Sequence, residues 1–188
     1  VLTYVTYRLS GLPKNQVLGS GTVLDTSRLK YMISRQTGID ARNCHTYVIG
    51  EHGDSEVAAW SVTNIGGMSM HEFCRYTGKC AIGDLDRMYE EVKNSAYEII
   101  QKKGATYYGV AMAVARIAES IVMNENAVLP VTSLMEGEYG LEGLCISVPT
   151  IVSQKGAEKV LEIPLSDEEK EKLLSSAKEL KEVLDGLD

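Results

Sequence analysis

At 188 residues, with 19 basic against 26 acidic side chains and a net charge of −7, the chain is long enough for one domain with a sizeable core or a closely joined pair, and its charge works against binding nucleic acid or an anionic membrane. Hydrophobic residues at 44% and charged residues at 24% exclude a disordered chain, and the longest apolar run, YYGVAMAVA from Tyr107, is interrupted by Arg116 and too short to span a bilayer. An anionic substrate must therefore be captured by a few local residues.

The chain opens VLTYVTYRLS without an initiating Met and with Leu2, Val5, Leu9 and Leu12 already at helical spacing. It reads as the end of an amphipathic helix in a chain cut from something longer, stopping at Pro13. A second helix is predicted from Thr22 to Gly38, with Thr22 and Asp25 as a capping box and Leu29, Met32, Ile33 and Gln36 as its inner stripe. From His45 the period changes. TYVI before Gly50 and SEVAAW after Asp54 suit two strands joined by a turn that carries His52. Helix returns around Leu85, with Met88, Val92, Ile99 and Ile100 on one face. Gly104 interrupts, and Tyr108, Met112, Ala115, Ala118 and Val122 carry a second helix to Asn124. AVLPVTSLM and GLCISVPTIV read as strands around the acidic EGEYGLEG. Ser166 with Glu169 opens a final helix through Leu173, Ala177, Leu180 and Leu184. No internal repeat or low-complexity linker appears, and mixed helices with largely antiparallel strands define an α+β fold.

Cys44, Cys74, Cys80 and Cys145 have neither CxxC pairing nor dense spacing, which fits reduced thiols in a cytoplasm. His71 and Cys74 lack a second pair at zinc spacing, so no metal site is expected. His52 has two readings: a surface histidine in a Gly-rich turn, or an acid–base group that Gly50 and Gly53 expose at the end of a strand. Asp25 and Arg28, three apart, leave the same helix face. They are either a cap with a surface ion pair, or a carboxylate and a guanidinium on the inward stripe of Leu29 and Met32, where charges need partners. Together, the three residues suit proton transfer next to a carboxylate: an aspartate holds the imidazole in one tautomer, the histidine moves a proton, and the arginine fork takes the carboxylate. No G-x-S-x-G is present to mark a serine nucleophile.

The strings GSGTVLDTSR, IGEHGDSE and KGATYYGVA closely resemble, jointly and in this order, the matching motifs of L-lactate dehydrogenases of bacterial type. The resemblance runs through essentially the whole chain. It implies that His52 is the proton donor and acceptor, Asp25 its orienting partner and Arg28 the ligand of the substrate carboxylate. It further implies that Thr106 lines the substrate pocket, Ser20 touches the nicotinamide carboxamide of NAD and Val110 packs near the nicotinamide ring. Nothing in the chain reads as G-x-G-x-x-G after a strand. Residues 1–188 are therefore expected to be the catalytic, substrate-binding C-terminal half of an enzyme whose NAD-binding Rossmann half is absent here, as are the loop that closes over substrate and the arginine it carries. The implied reaction interconverts L-lactate and pyruvate. Rival readings are a malate dehydrogenase of the same architecture and an inert module that assembles and binds anions. The resemblance also implies a cytoplasmic homotetramer and, through Lys30 and His45, a fructose 1,6-bisphosphate site shared by two subunits. Lys30, about 200° round the helix from Arg28, is expected to look outward.

Overall fold

The computed structural model describes residues 1–187. Helix α1 (Leu2–Ser10) ends at Gly11, where a left-handed backbone stops it. Of its predicted stripe only Val5 is partly covered. Leu2, Leu9 and Leu12 are exposed while Tyr4 and Val5 are half-buried.

Helix α2 (Val23–Thr37) runs between Thr22 and Gly38, as the sequence predicts, and sends Leu29 and Ile33 into full burial. The capping box at its start does not form. Thr22 Oγ1 instead donates to the carbonyl of Val48 at 2.6 Å, and Thr26 Oγ1 accepts from the Val48 N–H at 2.8 Å. Two threonines one helical turn apart thus satisfy both polar groups of one strand residue, which joins α2 to the strand that leads to His52.

Short strands follow: β1 (Cys44–His45), β2 (Val48–Ile49), β3 (Val57–Ala58), β4 (Asn64–Ile65) and β5 (Met68–Ser69). β2 and β3 pair antiparallel as expected, whereas the β1–β4–β5 sheet and helix α3 (Met70–Thr77) escaped the pattern, since two-residue strands carry no period. Cys74 and Cys80 are joined in a disulfide, contrary to the expectation of four reduced thiols; Cys44 and Cys145 are free and buried. The left-handed Gly78 ends α3 and folds the chain back, bringing the two cysteine Cα atoms to 4.8 Å, within bridging range.

Helix α4 (Gly83–Lys103) buries Leu85, Met88 and Val92 against α2, but its predicted stripe fails beyond them, with Ile99 only partly covered and Ile100 exposed. Helix α5 (Tyr108–Val122) is present and ends two residues before the expected Asn124. Ala113, Ile117 and Ser120 are buried, while Tyr108, Met112 and Val122 look outward. The helix is apolar almost all round, so periodicity could not choose its inner side.

The rest of the chain supplies β6 (Ala127–Leu129), β7 (Thr132–Glu136), β8 (Glu142–Ser147), β9 (Thr150–Ser153), β10 (Gly156–Val160) and α6 (Asp167–Asp185). β7 pairs β8, and β9 lies between β6 and the unanticipated β10, all antiparallel. The α+β reading holds. Ser166 and Glu169 form the predicted capping box, and Glu169 also accepts the Ser61 N–H at 2.9 Å. Leu173, Ala177 and Leu180 pack over Ile49, Met135 and Ile146. Among the described residues, no helix is long and apolar enough to cross a membrane.

Candidate functional site

The turn between β2 and β3 is held at both ends. Gly50 exchanges backbone hydrogen bonds with Ser147 of β8 and takes a φ of 98°, which disfavours any side chain there. Behind it, the buried Ser176 of α6 accepts the Glu51 N–H at 2.8 Å and meets Ser55 Oγ at 3.0 Å. His52 projects from this fixed turn with 55% of its side chain exposed, so one edge of the ring faces solvent and the other faces α2.

Asp25, 3% exposed in the first turn of α2, is the hub. Its Oδ2 lies 2.7 Å from His52 Nδ1, an ion-pair separation, and has no other donor; its Oδ1 accepts from Arg28 Nη1 at 3.1 Å. The helix N-terminus adds a favourable field for the carboxylate. Hydrogen bonding to Asp25 raises the His52 pKa above its ordinary value; burial opposes this, and the negative charges of Asp25 and Glu56 add to it. With Nδ1 committed to the aspartate, Nε2 is the nitrogen left for a ligand. Arg28 makes no other side-chain hydrogen bond among the described residues, so most of its fork is available to a carboxylate.

Sequence reasoning missed Glu56. It is only 6% exposed, its Oε1 has no hydrogen-bond partner, and burial, reinforced by the charge of Asp25, pushes its pKa up to about 8. Asp25, His52 and Glu56 each present an atom within 4.8 Å of the others. Three ligands at that spacing can approach a cation, but Arg28 already places a positive charge on Asp25 and opposes a second one. The cluster is better described as an acid–base network. In SEVAAW the lone acid reads as the outward residue of an alternating strand; in fact both faces there are buried.

The other predicted residues are less tightly gathered. Thr106 is half-buried on the link between α4 and α5, and its side chain, like that of Ser20, makes no hydrogen bond among the described residues. The first turn of α5 rests on the start of α2, since a Cβ on Gly109 would lie 3.1 Å from Leu24, the neighbour of Asp25. Val110, next to that contact, is 39% exposed. Lys30 does not look freely outward. It is half-buried, and burial lowers its pKa although the nearby Cys44 thiol raises it; Arg116 lowers it further. His45, the residue after Cys44, is exposed.

The α+β fold thus brings a histidine and an arginine to one buried aspartate, an arrangement chemically able to hold a carboxylate and exchange a proton beside it. The chain is a member of the lactate/malate dehydrogenase family, matching the profile of that family's alpha/beta C-terminal domain over residues 22–187. It is 55% identical over its full length to L-lactate dehydrogenase 1 of Clostridium acetobutylicum and 56% identical to the L-lactate dehydrogenase of Acetivibrio thermocellus, spanning 60% of each. Among solved structures it superposes on the ligand-bound minor L-lactate dehydrogenase of Enterococcus mundtii with a TM-score of 0.95 at 44% identity, covering all of this chain and 60% of that one. The chain thus spans about 60% of the length of the curated relatives it matches.

Proposed function

We propose that this chain is the substrate-binding, proton-transferring part of an NAD-dependent L-lactate dehydrogenase that interconverts pyruvate and L-lactate. The observation that carries the reading is Asp25, which engages His52 and Arg28 through its two oxygens at 2.7 and 3.1 Å. Arg28 takes the substrate carboxylate and so fixes the neighbouring carbonyl carbon. His52, protonated and oriented by Asp25, gives its Nε2 proton to the carbonyl oxygen in reduction and recovers it in oxidation. Thr106 lines the pocket at the α4–α5 link. The names of the relatives cited above, L-lactate dehydrogenases, favour pyruvate over the substrate of a malate dehydrogenase.

NAD, when bound, supplies the hydride. The exposed apolar Val110 and the half-buried Ser20, both close in sequence to the α2–α5 contact, fit the edge of a flat ring and its carboxamide. The described residues offer no glycine-rich phosphate cradle, so dinucleotide binding is assigned to a Rossmann domain elsewhere in the whole protein. The chain alone is then inactive. The outward apolar side chains of α5, with Met112 71% and Val122 80% exposed, support assembly with that domain and with other subunits as a cytoplasmic homotetramer. Lys30 and His45 are assigned to fructose 1,6-bisphosphate.

The test is His52→Ala in the whole enzyme. Turnover of pyruvate should fall by roughly 10²- to 10⁴-fold, the usual worth of a general acid, with NADH affinity unchanged. Near-normal turnover overturns the proton-transfer assignment.

A further inference from the structure

Glu56 is a buried acid whose side chain makes no hydrogen bond among the described residues. One carboxyl oxygen is orphaned, and removing a carboxyl from water without pairing it is costly. Its backbone is well anchored: its carbonyl accepts a hydrogen bond from the Tyr89 hydroxyl of α4, and it immediately precedes β3. The side chain therefore sits where it does because the strand holds it there. It lies on the inner side of a cleft of about 670 Å³ bounded by α4, α6 and the His52 turn.

Charged and titratable groups meet Glu56 from every side. α2 presents Asp25 and Arg28, the turn presents His52, and α4 presents Tyr89 and Lys93. The same cleft is lined by Asp86 and Glu90 of α4 and, across it, by Glu168, Glu169, Lys172 and Glu179 of α6, a mixed set that is acidic on balance. His52 is the group whose protonation answers most directly to Glu56. The carboxyl and the imidazole lie within 4.8 Å in a partly water-excluded pocket, where charges interact more strongly than at an open surface.

Resting on the assignment of proton transfer to His52, we propose that Glu56 is a positioning residue for that histidine: its buried carboxyl, within 4.8 Å of both the imidazole and Asp25, sets how tightly the ring keeps its proton. Asp25 fixes the tautomer, and Glu56 adjusts the affinity. When Glu56 is neutral, its influence on the imidazolium is weak. When it ionises, its charge adds to that of Asp25 and holds the proton more firmly. The two sites consequently titrate as a coupled pair.

The experiment follows the imidazole signals of this chain by NMR against pH. Only three histidines are present, and the His52 resonance is identified by its loss in His52→Ala. The unsubstituted chain should give a His52 curve with a second inflection near about 8, the value to which burial moves Glu56. Glu56→Gln, equal in size and uncharged, should abolish that inflection and lower the His52 midpoint. Lys93→Gln removes a cation that favours ionised Glu56 and should move the inflection upward; it decides the question alone if Glu56→Gln loses its folded spectrum. A His52 curve unchanged by the substitutions overturns the inference and leaves proton transfer by His52 untouched. Failure of the turnover test on His52 would instead remove the functional reading, whatever the titrations give.

Discussion

Replacing Glu56 by Gln should stabilise the fold progressively as pH rises. The carboxyl moves from 4.5 to about 8 on folding. Because the folded value is the raised one, the stability linked to this group is fully present below the unfolded value and is lost as pH climbs through the folded value. A shift of that size, at ~1.4 kcal/mol per unit, amounts to at most ~5 kcal/mol above the upper value. Glu56 is 6% exposed, so solvent screening removes little of it, while relaxation of His52 and Lys93 toward the new charge trims it to about 2–4 kcal/mol. The assay is urea unfolding of both chains at intervals between about pH 5 and 8.5, with free energies extrapolated to water. Any packing change introduced by Gln is a constant offset, so the diagnostic quantity is the widening gap between the curves. The difference should be smallest at the acid end and level off beyond the folded value. Parallel curves across the range would show that Glu56 ionises in the folded chain as it does in the unfolded one, and the reasoning from burial would fail.

Arg28→Lys in the whole enzyme should raise KM for pyruvate by on the order of tenfold or more while kcat changes less, because an ammonium keeps the charge and loses the two-pronged contact; steady-state kinetics with unchanged KM would count against carboxylate binding by Arg28. Fructose 1,6-bisphosphate, titrated at low pyruvate, should activate the whole enzyme, with activation weakened in Lys30→Gln and His45→Gln; activation surviving both changes would remove that assignment. Gly156→Ala should lower the unfolding free energy by at least ~2 kcal/mol, since the residue has a φ of 93° and a Cβ there would lie 1.9 Å from the Asn15 carbonyl oxygen; an unshifted denaturant midpoint would refute this.

What could be read from the sequence was local. Ser166 and Glu169 announce α6 because a cap and its reciprocal bond lie within four residues. Thr22 misleads by the same logic: its hydroxyl finds Val48, a partner 26 residues away that no local pattern contains. Gly78 signals the end of α3 but not that the returning chain joins Cys80 to Cys74. The pairing of His52 with Asp25 was legible through chemistry and through the motifs, whereas the burial of Glu56 depends on α4 and α6 closing over a strand too short to declare its faces.

The hold of Ser176 on the histidine turn has a bearing on biosynthesis. A ribosome delivers Asp25 and Arg28 early and together, on one helix; Glu51 to Ser55 follow soon after. The hydroxyl that receives the Glu51 N–H arrives 125 residues later, on α6. Until that helix has emerged and docked over Ile49, the histidine turn of a nascent chain lacks this backbone partner. The turn that carries His52 is thus completed late in translation, and a chain released before residue 176 would lack the hydroxyl that receives the Glu51 N–H.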